Sequence, residues 1–144
     1  MTVKPIPDGF HTVTPFLVAQ GVPALIEFLK AGLGAVELFR VRDAEGRVMH
    51  AQVRIGDSVV MMGEAMEDCQ PVPAQLYLYV TDTDATYRTA LAAGGLSLME
   101  PADQFWGDRM AAIKDPAGNR WLIATHVADI ESAEVARRAQ TFKG

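Results

Sequence analysis

The sequence predicts an α+β fold of two tandem β-α-β-β-β modules, whose eight strands make an incomplete barrel around a central cleft. Three observations carry this expectation. The same order of strand and helix signals occurs twice along the chain. A constant offset of 62 residues pairs Val18 with Val80, Leu29 with Leu91, Gly32 with Gly94, Arg47 with Arg109 and Gly56 with Gly118. Each half, at about 55 residues, is too small to bury a sheet face alone, so the halves should fold as one unit.

The elements follow in order. "TVTPFLV" (12–18) is β-branched and aromatic and reads as a buried strand. In "GVPALIEFLKAGLG" the residues Val22, Leu25, Ile26 and Leu29 fall on one helical stripe. Pro23 suits the first turn of that helix and Gly32 its C-terminal cap. The run from Ala35 to Ala65 reads as three strands, parted by turns at "DAEG" and "IGDS". Module one therefore spans about residues 11–65, and the proline-bearing "MEDCQPVPA" (66–74) is a linker. Module two (75–127) repeats the order. "QLYLYV" is a strand and "TDATYRTALAAGG" a helix with Asp82 or Asp84 at its start and Gly94 at its close. "LSLMEP" and "RMAAIK" are strands around the loop "DQFWGD", and "DPAGN" turns into the last strand, "RWLIATH". The tail, 128–144, has a weakly amphiphilic helical pattern that suits packing on a partner subunit or fraying.

Composition narrows the function. Of 144 residues, 49% are hydrophobic and 22% charged, which is normal for a globular domain. A net charge of −5 with dispersed Lys and Arg argues against nucleic-acid binding. No apolar run is long enough to span a membrane and the N-terminal stretch has no signal-peptide core, so a cytoplasmic location is expected. Cys69 is the only cysteine, and the acids of "MEDCQP" around it disfavour a thiolate nucleophile.

Strand alternation nominates cleft residues. In "RVMHAQVRI" the apolar set Met49, Ala51, Val53 and Ile55 is expected to face the helix, leaving His50 and Gln52 on the concave face. Gln75, Tyr77 and Tyr79 share that face in the fifth strand, and Arg120, Leu122 and Ala124 in the last. His50 is the candidate general acid or base, because an imidazole exchanges protons near neutral pH; a cross-sheet hydrogen bond is the plainer reading. Phe105 and Trp106, large aromatics on a loop beside Gly107, are candidates for covering the cleft. Tyr77 and Tyr79 either line the cleft or pack in the core. Met49, Met61, Met62 and Met110 suit core filling or an adaptable pocket. Arg109 either forks a ligand carboxylate or phosphate, or braces a turn by pairing with Asp108 or Asp103. Asp115 and Asn119 are ordinary turn residues, and His126 ends the last strand as a surface or interface histidine.

The paired modules, the strand–V–x–D entry to the second helix and the closing "DPAGNRWLI" resemble the vicinal oxygen chelate superfamily over residues 11–127. That superfamily includes glyoxalase I, extradiol dioxygenases, fosfomycin-resistance transferases and bleomycin-resistance binding proteins. "QFWGDR…IKDPAGNRWLIATH" and "RVMHAQVRIGDSVVMM" look closest to the PhnB-like glyoxalase/bleomycin-resistance subgroup. The resemblance implies a homodimer, since members commonly pair modules across subunits. It also implies metal-ligand positions on the first and last strand of each module, which fall at Val13, Val60, Gln75 and Leu122. Only Gln75 can donate to a metal, and moving one residue from Val60 to Met61 adds nothing, so no metal ligands and no cofactor are predicted. A non-standard divalent site from His11, His50 and Gln75 is the alternative.

The expectation is a metal-independent binder of a small, partly aromatic or apolar molecule. Its ligand set is His50, Gln52, Gln75, Tyr77, Tyr79, Phe105, Trp106, Arg109 and Leu122, in a role such as antibiotic or toxic-metabolite sequestration. The alternative is a glyoxalase-like lyase or isomerase that uses a divalent metal or His50 as base, with a dioxygenase a further alternative.

Overall fold

Helix α1 (Val22–Leu33) forms on the predicted stripe, with Val22, Leu25, Ile26, Phe28 and Leu29 buried and proline in its first turn. It belongs to a computed structural model that describes residues 2–144. The first module also contains β1 (Phe16–Ala19), β2 (Val36–Arg42), β3 (Val48–Ile55) and β4 (Ser58–Glu64). The second contains β5 (Gln75–Tyr79), α2 (Thr83–Ala92), β6 (Leu96–Asp103), β7 (Asp108–Lys114) and β8 (Arg120–His126), followed by α3 (Ser132–Thr141). The strands make two four-stranded mixed sheets, in orders β1-β4-β3-β2 and β5-β8-β7-β6, with β1 parallel to β4 and β5 parallel to β8. No strand of one sheet is hydrogen-bonded to the other, so the barrel is not closed.

Both sheets contribute to one core. Leu17, Ala51, Val53, Val60 and Met62 of the first sheet join Ala111, Ile113, Trp121 and Ile123 of the second. Helices α1 and α2 pack on each other in that core rather than only covering its outside. Gly32 allows the contact: a Cβ there would lie 3.3 Å from the Ala90 Cα and 3.3 Å from the Ala93 Cβ. Gly32 is therefore a packing glycine, not the expected helix cap. The cap is Gly34, at φ 70°, whose backbone N–H donates to the Leu29 carbonyl.

The constant 62-residue offset is also corrected. The helix-facing pair Ala51–Met62 corresponds to Ala111–Ile123, a shift of 60 before the turn and 61 after it. The β3–β4 turn is tight, with Ile55 opposite Ser58, whereas the β7–β8 turn closes between Asp115 and Asn119 and is one residue longer. Three strand assignments shift as well. β1 is only four residues long and excludes Val13, and β6 extends through Asp103. In β3, Met49 is exposed and Val48 buried, because a bulge places Val41 opposite His50 but Arg42 opposite Val48.

Candidate functional site

Each sheet turns one face to the core and leaves the other open. On the first sheet, cross-strand register lines up Phe16, Met61, Gln52 and Phe39 on the open face. His50 sits one step along β3 from Gln52, and the two side chains share a hydrogen bond of 3.1 Å between Gln52 Nε2 and His50 Nε2. As the Gln52 amide nitrogen can only donate, His50 Nε2 accepts, and its Nδ1 holds the proton. Phe16 and Phe39 flank the imidazole with ring centroids 5.9 and 6.0 Å away. The N-terminal segment walls off part of this face. Pro5, Phe10 and His11 meet Gln52 and Met61 around a cavity of about 420 Å³.

The open face of the second sheet carries a different arrangement. Tyr77 lies opposite Leu122 and Tyr79 opposite Ala124, so both phenols stand over the face. They converge on Asp108 at the start of β7, which is only 2% exposed. Its Oδ2 accepts from Tyr77 Oη at 2.6 Å, Tyr79 Oη at 2.8 Å and Trp106 Nε1 at 3.2 Å. Its Oδ1 contacts His126 Nδ1 at 2.9 Å, and the other imidazole nitrogen reaches Asp129 at 2.7 Å. Burial pushes the Asp108 carboxyl up, but the hydrogen bonds from Tyr77, His126, Tyr79 and Trp106 outweigh it and hold the group below the usual carboxylate range. Burial and the bond to Asp108 push the Tyr77 phenol up to about 12. The hydrogen bonds to Asp108 and then Asp129 raise the His126 imidazole above its ordinary value.

The other predicted ligand residues are dispersed. Arg109 points away from the open face, forks the start of α2 and makes one contact across its own turn. Its Nε and Nη2 fork Asp84 at 2.7 and 3.0 Å, and Nη1 reaches Asp103 at 3.1 Å, while Asp108 is not its partner. Gln75 lies at the far end of β5, opposite Arg120. Phe105 sits edge-on to Trp106 and against Phe142 at 5.1 Å, so it secures the tail as well as the loop. Asp115 and Asn119 are turn residues, as expected, but buried ones. Asp115 accepts from Asn119 and from Trp121 Nε1, and Asn119 Oδ1 accepts from the Ala74 N–H.

A divalent ion does not fit the positions that the resemblance implies. Val60 faces the core, so Met61 occupies the open face of β4, beside Phe16 of β1. Tyr77 and Leu122 form the matching pair in the second sheet. Among the described residues no group of three His, Cys, Asp or Glu side chains is arranged to hold a metal. His11, His50 and Gln75 do not converge either: His11 Nε2 bonds the Asp57 carbonyl at 3.1 Å, and His50 bonds Gln52.

The sequence profile of the Glyoxalase/Bleomycin resistance protein/Dioxygenase superfamily matches residues 9–123. The chain belongs to this superfamily. An uncharacterized protein of Mycobacterium bovis is 32% identical over 134 residues, covering 85% of this chain and 88% of the relative. A protein of Mycobacterium tuberculosis matches at the same identity, with 79% of its length covered. Among solved structures, TioX from Micromonospora sp. ML1 superposes with a TM-score of 0.70 at 23% identity, over 81% of this chain and 99% of TioX. A superfamily enzyme from Burkholderia phytofirmans superposes at 0.65 with 16% identity, over 79% and 97% of the two chains. At these identities the superpositions show the shared fold alone.

Proposed function

We propose that this superfamily member is a metal-independent binding protein for a small, partly aromatic molecule, of the glyoxalase/bleomycin-resistance type. The observation that carries the reading is the pairing of exposed aromatic side chains with fixed polar groups on both open faces. His50 and Gln52 lie between Phe16 and Phe39, and Tyr77, Tyr79 and Trp106 stand on Asp108. Binding sites combine apolar walls with a few oriented polar groups in this way. Of the implied ligand positions, Val13, Val60 and Leu122 are aliphatic and only Gln75 can donate, which supports independence from metal. Sequestration of an antibiotic or toxic metabolite in the cytoplasm, within the PhnB-like branch, is the role that this chemistry suits.

The same reading includes a homodimer. Val36, Leu38, Phe39 and Val41 of β2 and Leu96 and Leu98 of β6 are exposed apolar residues on edge strands, a surface that a second copy would cover. Association would also turn two open faces into enclosed clefts.

A thermal-shift screen of aromatic natural products, with metal analysis of the purified protein, tests the proposal. Saturable stabilisation by a member of the set is the expected result, without stoichiometric metal. One bound Ni, Zn or Fe per chain that is required for binding would refute it. The Gln52–His50 hydrogen bond favours one further reading, a lyase or isomerase with His50 as base, since an oriented imidazole can exchange a proton with a ligand. Product analysis with His50→Ala separates the two: an enzyme converts the ligand and loses that turnover in the variant while ligand still binds, whereas a binder converts nothing and the variant only weakens its affinity.

A further inference from the structure

The hydrogen-bond count around Asp108 specifies what the second open face can recognise. Tyr77 and Tyr79 each have one hydroxyl proton, and both protons are given to Asp108 Oδ2. The Trp106 Nε1–H is shared between that oxygen and Tyr77 Oη at 3.3 Å. The cluster therefore has no proton left to offer outward. What it presents is phenol lone pairs, polarised by the carboxylate behind them, and the π-faces of Tyr77 and Tyr79, whose centroids lie 5.2 Å apart.

Charge points the same way. His126 sits between Asp108 and Asp129, so one imidazolium faces two carboxylates and the trio carries a net negative charge. On the neighbouring tail, Arg138 is committed to Glu134 and to the Phe105 carbonyl, and Arg137 to Glu134. Tyr79 is 62% exposed, so the acceptor surface is open to a ligand.

We infer that this face takes an organic ammonium group, borne on an aromatic or apolar framework, seated against Tyr77, Tyr79 and Trp106. The inference rests on the small-molecule-binding reading and adds the chemical class of the ligand. An amine's N–H groups would meet the phenol oxygens, and its charge would face the aromatic rings and the buried carboxylate. A carboxylate or phosphate ligand would meet acceptors only.

The test compares three probes of similar shape, benzylammonium, benzyl alcohol and benzoate, titrated into the full chain. The readout is the indole N–H resonance of Trp106, told apart from that of buried Trp121 by Trp106→Phe. Benzylammonium is expected to shift that resonance saturably and to bind about tenfold more tightly than benzyl alcohol, with benzoate weakest. Asp108→Asn should abolish the preference, because a side-chain amide can donate to the phenols and release their protons outward. If that variant does not fold, Tyr79→Phe serves in its place. It should weaken benzylammonium by about threefold and leave benzyl alcohol unchanged.

Equal binding of the three probes at Trp106, a preference for benzoate, or shifts confined to the His50 face would overturn the ammonium assignment while the binding reading stands. No shift from any probe at millimolar concentration also overturns it. The binding reading is then decided by the thermal-shift screen, which includes neutral and anionic compounds.

Discussion

Asp108 is a charged group whose environment is set by Trp106 beside it and by three residues far away in sequence. Its carboxylate is held below the ordinary range, so its stabilising contribution is complete above the unfolded pKa of about 4 and is lost as pH falls through the lowered folded value. His126 has the opposite sign. Its imidazole is raised, so its contribution is complete below the unfolded value of about 6.5 and disappears as pH rises through the higher folded value. The pair should therefore produce a stability plateau between those two unfolded values, with a decline on either side. Urea midpoints measured across pH should show the plateau, and Asp108→Asn should flatten both limbs attributable to the pair. A wild-type profile unchanged by that substitution would separate the cluster from the stability of the fold. Replacing Asp108 by Ala removes several charged hydrogen bonds from a buried site and should cost about 2–3 kcal/mol. Little of this was legible in the sequence. Alternation along β7 places Asp108 on the same face as Met110 and Ala112, but its partners Tyr77, Tyr79 and His126 lie 31, 29 and 18 residues away. The adjacent Arg109 also offered a simpler local pairing that the structure does not make. His50 and Gln52 were legible because they belong to one strand, where a two-residue spacing is sufficient to put them side by side.

Among the elements, glycine positions and turn lengths determine how the two modules meet. The duplication was readable as a repeated order of elements, but a gapless offset forced Gly32 to pair with Gly94 as a cap. Only the three-dimensional structure distinguishes a glycine needed for positive φ, such as Gly34, from one needed for close helix packing. Gly32→Leu should drive α1 and α2 apart and cost about 1–3 kcal/mol as overpacking, with Gly32→Ala milder, both measurable as thermal midpoints. The same substitution at Gly34 should instead act through backbone strain, because no side chain or backbone atom stands within 4 Å of a Cβ there. The β7–β8 turn makes a second element-scale prediction. Asn119 is 1% exposed and ties Ala74, the residue before β5, to the turn through its side-chain oxygen. Asn119→Ala should leave the Ala74 N–H and Asp115 short of partners, cost about 2 kcal/mol, and increase hydrogen exchange at the start of β5. Unchanged protection at Ala74 would show that the turn does not position that strand. The sequence identified "DPAGN" as a turn but not as a buried one. Its burial comes from Trp121, whose indole donates to Asp115 at 2.9 Å across the turn.

For the whole molecule, the strongest constraint is that a protein with one shared core still exposes apolar edge strands. The core accounts for the inner faces of both sheets, and among the described residues no strand pairs with the outer edges of β2 and β6. Leu38 and Leu98 are 42% and 43% exposed and lie on these two edge strands. Because neither belongs to the buried core, a lysine at either position should leave folding intact while placing a charge on the surface proposed to be covered. Light scattering of the wild-type chain at micromolar concentration should give the mass of a dimer. Leu38→Lys combined with Leu98→Lys should shift it to the 15.6 kDa monomer without lowering the helix and strand signal in circular dichroism. Ligand affinity should fall with the dimer if the clefts are completed by a second copy, and should persist if each open face acts alone. A monomeric wild type, or a double variant that stays dimeric, would exclude these edges as the interface.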